Sequence, residues 1–252
     1  AHYDPQGTRI LVIKLAAAGD VLRTTSVLPP LKRKYERSTI TWVTDEAALP
    51  LLALNPHIDR LLPFGFGTWM ELSAQTFDLL ICLDKEPRAS AMATSIEATE
   101  KLGFGLNREG AVVPLNPGAR YDYELGLSSE MKFRGNRLTY PEIFCRTAEL
   151  DYDGDAYELV LPETSVEYAR DFLEQLDPHE PLVGLNVGAG RVFSNKAWTP
   201  EGYAELARAV RDRLGGTAVV LSGAEDRDRA EEVLGLAGEA ATDGGLHAVL
   251  DF

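Results

Sequence analysis

Short, almost uninterrupted apolar runs recur along the first third of the chain, each followed by a segment of helical spacing. "RILVIKL" (9–15), "TITWVT" (39–44), "IDRLLPF" (58–64) and "FDLLICLD" (77–84) have the β-branched and large apolar content of strands. Strands that are apolar on both sides must be covered on both faces. A parallel sheet with helices above and below meets that demand, so the sequence predicts an α/β protein with doubly wound sheets. Between the strands, "DVLRTTSVLPPLKRKY" and "EAALPLLAL" have helical spacing, and Pro29 and Pro30 should end or kink the first of them. The alanine-rich "RASAMATSIEATEKLG" (88–103) is expected to be a third helix, with Gly103 as its C-cap.

The alternation lapses over residues 104 to about 160, which are too many for a simple loop. An edge strand and an elaborated substrate-facing region are expected there, with "LTYPEIFCRTAEL" as a helix returning to the sheet. "YELVLPE" then leads into the helix "TSVEYARDFLEQL", where Thr164 and Glu167 match a capping box. A second series follows: strand "LVGLNVGAG" (182–190), helix 199–216, strand "TAVVLSG" (217–223) and helix 224–238. These boundaries predict two domains, 1–162 and 163–252, the second holding too few strands for a complete doubly wound sheet. No closing strand or helix is expected after residue 238.

A net charge of −14 excludes a general nucleic-acid binder, which needs a basic face. The one basic run, "LKRKYER", includes Lys32 and Arg33 and is by default a solvated helix face. Cys82 and Cys145 sit far apart among apolar neighbours and read as core thiols of a reducing compartment. The four histidines have no ligand spacing, so no metal site is expected. No apolar stretch approaches the roughly 20 residues that cross a bilayer. The expected location is the cytoplasm.

In open parallel sheets, ligands bind where the strand-to-helix turns converge at the carboxyl ends of the strands. Three such turns carry chemistry. In "AAAGD", small residues including Gly19 allow close approach, and Asp20 is either a helix cap or a carboxylate presented to a substrate. In "NVGAGRVFSNKAW", the amides of Gly188, Ala189 and Gly190 with Lys196 form either an ordinary turn or a diphosphate cradle. It is neither a P-loop nor a dinucleotide fingerprint, because Phe193 stands where the last glycine belongs. In "SGAEDRD", Glu225 and Asp226 either complement a helix dipole or hold ribose hydroxyls. "DGGLH" (243–247) falls in the tail and is read as a coincidence.

Taken in order, "RILVIKLAAAGDVLRTTSVLPPLKRKY", "ITWVTDEAALPLLALNPHIDRLLPF", "NKAWTPEGYAELA" and "VVLSGAEDRDRAEEV" resemble glycosyltransferase family 9, the heptosyltransferases of lipopolysaccharide inner-core assembly. The resemblance implies a GT-B fold of two Rossmann-like domains. It also implies inverting, metal-independent transfer of a heptose from ADP-heptose, with no cofactor, to a lipid-linked saccharide acceptor. By position it makes Asp20 the catalytic base and Lys196 the phosphate-binding lysine, with Glu225 or Asp226 near the nucleotide ribose. Gly19, Lys32 and Arg33 fall on the acceptor side, the basic run meeting an anionic acceptor at the inner membrane face. The family's later Asp-x-Gly-x-x-His motif has no counterpart up to Phe252. A GT-B enzyme using another nucleotide sugar and a non-catalytic nucleotide-binding fragment are the alternatives.

Overall fold

Five parallel strands and one antiparallel strand make the first sheet. They are β1 (Thr8–Ile13), β2 (Ser38–Thr44), β3 (Arg60–Pro63), β4 (Thr76–Cys82), β5 (Glu97–Leu106) and β6 (Val112–Pro114), in the order β3-β2-β1-β4-β5-β6. The computed structural model describes residues 7–176, 178–188 and 198–246. Contacts divide the chain into two units, Ala1–Val160 and Leu161–Phe252.

Within the first unit, strand residues alternate between two cores. Ile10, Val12, Ile40, Trp42, Leu79 and Ile81 pack on one face with Val21, Val27, Leu28 and Leu31. Leu11, Ile13, Val43, Leu80 and Cys82 pack on the other with Leu72, Ala89, Met92 and Ala93. Both faces are therefore covered, which is why the strands read as continuous apolar runs. The chain runs from β1 out to β3, then returns to place β4 on the other side of β1. The order thus reverses between β1 and β4, and the crevice at their carboxyl ends is where such sheets take ligands.

The first helical stretch is broken as the prolines require, into α1 (Ala18–Thr24), a 3₁₀ turn and α2 (Leu28–Lys34), which carries Pro29 in its first turn. After β2, α3 (Leu49–Leu52) is a single turn; α4 (Phe66–Ser73) was not anticipated. The long helix expected over 88–103 is corrected. α5 (Pro87–Ser95) stops early, and Glu97–Leu106 is strand β5, paired with β4 from Thr76↔Glu97 to Cys82↔Gly103. Gly103 is a strand kink at φ +88°, where a Cβ would stand 1.8 Å from the Cys82 carbonyl oxygen.

The irregular region holds the expected edge strand, β6, then α6 (Pro117–Leu127), one π-helical turn and α7 (Tyr140–Thr147). A capping box closes on α7: Thr139 N–H donates to Glu142 Oε2 at 2.6 Å and Glu142 N–H to Thr139 Oγ1 at 3.5 Å.

In the second unit, α8 (Glu163–Leu176) opens one residue ahead of Thr164. The Ser165 and Val166 amides bond the Pro162 carbonyl, so Thr164 lies inside the first turn and not at the N-cap position its expected box requires. Strands β7 (Leu182–Asn186), β8 (Thr217–Ser222) and β9 (Thr242–Leu246) form a parallel sheet in that order. α9 (Pro200–Leu214) runs from a Thr199 cap to Gly215 in the left-handed region, and α10 (Arg227–Ala237) follows β8. β9 corrects the expectation of an unpaired tail. Its glycines concealed it: a Cβ on Gly244 would meet the Val220 carbonyl oxygen at 2.8 Å, so close strand approach requires the bare backbone. Asp243 of "DGGLH" ion-pairs with Arg227 at 2.9 Å, and His247 lies outside the described residues.

Candidate functional site

The turn after β1 is held from below by a buried ion pair that the sequence reading missed. Lys14 and Asp84 are 6% and 8% exposed, with Lys14 Nζ 3.3 Å from Asp84 Oδ2 and 2.6 Å from the Ala16 carbonyl. The same carboxylate accepts from the Leu15 and Ala16 amides at 3.0 and 3.3 Å, and its second oxygen accepts from the Glu86 amide at 3.1 Å. Asp84 therefore ties the β1 and β4 exits together at the point where the strand order reverses. A lysine inside an otherwise apolar strand was the available signal, since a buried ammonium needs a partner.

Above that tie, Asp20 sits in the first turn of α1. It is not the cap: Ala17 occupies the N-cap position and no side chain caps the helix. The Asp20 carboxylate pairs instead through Oδ1 with Arg23, and both side chains are nearly two-fifths exposed. Arg23 in turn lies over the Tyr140 ring, 4.0 Å from its centre, which anchors the guanidinium from α7. A carboxylate has about four lone-pair sites, so the Arg23 pair leaves Oδ2 with acceptor capacity to spare. Gly19 is exposed, and a Cβ there would meet nothing within 4 Å, leaving open approach beside Asp20.

Tyr140 is also a wall of a cavity of about 310 Å³ lined by Lys85, Asp122, Lys132, Asn136 and Ile143. Lys85 donates to Asp122 Oδ1 at 2.6 Å and to its carbonyl at 3.0 Å. The cavity thus combines apolar walls with the paired Lys85 and Asp122, the Lys132 ammonium and the Asn136 amide, a lining rich in hydrogen-bonding groups.

Lys32 and Arg33, expected on the acceptor side, lie at the far end of α2, toward the amino edge of the sheet. Lys32 donates to the Ser38 carbonyl at 3.1 Å and to Asp59 at 3.2 Å. Arg33 grips Asp155 bidentately at 2.6 and 2.7 Å and holds that carboxyl below the ordinary carboxylate range. Their contacts pin residues 59 and 155 to the helix, and the cavity walled by Tyr140 has Lys85 and Lys132 in its lining instead.

In the second unit, Gly188 ends the β7 turn with its amide on Asn186 Oδ1 at 3.0 Å. A Cβ on Gly188 would stand 2.4 Å from Asp226 Oδ2, so the structure brings these two candidates into contact. Asp226 closes a 3₁₀ turn after β8, and Glu225 beside it is exposed. Trp198 packs on Gly202 at the start of α9 and meets Tyr203 edge-on at 5.7 Å. Ala189, Gly190 and Lys196 lie outside the described residues. Cys82 and Cys145 are free and buried, and burial pushes both thiols up to about 12, so neither is a nucleophile. Among the described residues no group of three His, Cys, Asp or Glu side chains could hold a metal, and no helix is long and apolar enough to cross a membrane.

A family model described as glycosyltransferase family 9 (heptosyltransferase) matches residues 66–244. The lipopolysaccharide core heptosyltransferase OpsX of Haemophilus influenzae is 24% identical over 208 residues, 79% of this chain and 55% of that protein, so the chain spans about half of its length. A solved family 9 glycosyl transferase of Veillonella parvula superposes with a TM-score of 0.71 at 22% identity, covering 94% of this chain and 68% of the other. The E. coli ADP-heptose heptosyltransferase II superposes at 0.64 and 20% identity, covering 97% and 74%. At these identities the structural likeness speaks for the fold, the α/β architecture of GT-B-type heptosyltransferases.

Proposed function

The chain belongs to glycosyltransferase family 9, and from that membership we propose that it serves the inverting transfer of a heptose from ADP-heptose to a lipopolysaccharide core acceptor. The observation that carries the reading is Asp20: a carboxylate just past the carboxyl end of the central strand, paired through one oxygen with Arg23, whose guanidinium lies over Tyr140, a wall of a polar cavity. An inverting displacement at an anomeric carbon needs a base that removes the acceptor hydroxyl's proton as the new bond forms. Asp20 Oδ2 takes that proton. The acceptor's sugar sits in the cavity walled by Tyr140, where Lys132 and Asn136 meet its acidic and hydroxyl groups and Lys85 is held by Asp122.

The donor's diphosphate leaves with one further negative charge to stabilise. Lys196 and the amides of Ala189 and Gly190 carry that charge, the Gly188 amide being given to Asn186 Oδ1, so no metal is assigned to the step. Asp226, held against Gly188, accepts from ribose hydroxyls. The name of the E. coli relative, an ADP-heptose lipopolysaccharide heptosyltransferase, supports the choice of donor.

The test is to supply ADP-heptose, or a UDP-sugar, with a heptose-free core acceptor. ADP release with a product of inverted anomeric configuration by NMR is the expected result. Turnover of the UDP-sugar alone, or retention of configuration, would refute the assignment.

A further inference from the structure

One exposed stretch of the first unit runs against the chemistry of the whole molecule. From Leu127 to Arg137, "LSSEMKFRGNR", three cations stand against one carboxylate in a chain of net charge −14. Leu127 and Phe133 on that stretch are 73% and 76% exposed. The segment is nonetheless braced. The Lys132 amide donates to the Ser128 carbonyl at 2.9 Å, the Met131 amide to Ser128 Oγ at 3.1 Å and the Asn136 amide to the Met131 carbonyl at 2.7 Å. Asn136 Oδ1 also accepts from the Tyr121 hydroxyl at 2.8 Å. The backbone thus fixes a turn while its largest apolar side chains face water.

The cations are equally available. Arg134 meets Glu130 only at 3.5 Å with both side chains more than 70% exposed, a pair worth little in water. Lys132 Nζ lies 5.5 Å from the centre of its neighbour Phe133's ring, and Arg137 has no ion-pair partner among the described residues. An aromatic and an aliphatic side chain interleaved with cations partition into the headgroup layer of an anionic bilayer, where the rings reach the acyl boundary and the charges meet phosphate. A second copy of this acidic chain would meet general charge repulsion.

We propose that residues 127–137 dock this protein on an anionic lipid surface. Lys132 and Phe133 are also walls of the cavity that Tyr140 and Arg23 connect to Asp20, so docking through this turn sets the cavity's edge at the membrane. That purpose rests on the proposed function; the lipid contact itself does not.

The experiment is co-sedimentation of the chain with large unilamellar vesicles of phosphatidylglycerol and phosphatidylcholine, against phosphatidylcholine alone. Binding is expected to the anionic vesicles and to weaken with salt. At about 1 kcal/mol per cation near such a surface, Arg134→Gln with Arg137→Gln should lower the partition coefficient about 30-fold. Leu127→Ser with Phe133→Ser should reduce the binding that survives high salt. All four side chains are solvent-exposed, and circular dichroism checks that the variants fold. Equal binding to both vesicle types, or variants that bind like the parent, would overturn the proposal. So would a dimer in gel filtration that these variants dissolve, which would give the face to a second copy. Sugar transfer is not read in this assay, so its failure leaves the proposed reaction standing, and loss of transfer with vesicle binding intact counts only against the reaction.

Discussion

Asp84→Ala should be among the most damaging single changes in the first unit. Four groups donate to this carboxylate: the Leu15, Ala16 and Glu86 amides and the Lys14 ammonium. Its removal orphans the amides and leaves a 6% exposed ammonium with the Ala16 carbonyl alone. Breaking a buried pair from one side costs about 3–5 kcal/mol. Lys14→Met should cost less, about 1–3 kcal/mol, because the carboxylate keeps its three amides. The double variant should cost less than the sum by about 1–3 kcal/mol, since neither charge is then stranded. Urea unfolding read by tryptophan fluorescence in a Trp198→Phe background follows Trp42 and Trp69, both in the first unit. With a slope of about 2 kcal/mol/M, Asp84→Ala should lower the midpoint by about 2 M. Strict additivity, or a loss under about 1 kcal/mol for Asp84→Ala, would refute the idea that this pair ties the two strand exits together.

Gly188→Ala should displace the Asp226 carboxylate, the flexible end of a side chain, at little cost in stability, yet weaken ADP binding by calorimetry about tenfold; Gly19→Ala, with open space around it, should fold normally. Iodoacetamide at pH 8 should leave Cys82 and Cys145 unlabelled until the chain unfolds, because burial raises both thiols to about 12; rapid labelling of the native chain would contradict their burial. The Arg33–Asp155 pair holds the carboxyl below its unfolded value near 3.9, so its contribution is complete above that value and lost as pH falls through the folded one. The stability gap between parent and Arg33→Gln should therefore be flat from about pH 6 to 8 and shrink below about pH 5. A gap that widens in acid would reverse the argument.

The parallel sheet was legible because its strands are apolar on both faces, and that signal needs no long-range information. The break at Pro29 was legible from proline's own geometry, again a local signal. What escaped the sequence depended on distant partners. Residues 97–103 look helical by composition, yet pairing with β4 and the kink at Gly103 decide their state. Lys32 and Arg33 looked like a free basic face because their carboxylates, Asp59 and Asp155, lie 27 and 122 residues away. Asp84 sits 70 residues from Lys14 and closes the strand "FDLLICLD" as an unremarkable acid. Asp20 stood out through its small-residue lead, but its partner Arg23 and the Tyr140 ring against that guanidinium did not. Ring and guanidinium meet only once α7 folds back over α1.

The central claim is that Asp20 takes a proton in the transition state, and the direct measurement is the turnover of Asp20→Asn in a chain that spans the whole length of its relatives. With saturating ADP-heptose and core acceptor, kcat should fall about 10²–10⁴-fold, while calorimetry gives an unchanged Kd for ADP and urea unfolding an unchanged midpoint. A variant that keeps more than a tenth of the parent's kcat would return Asp20 to the role of an ion-pair partner for Arg23.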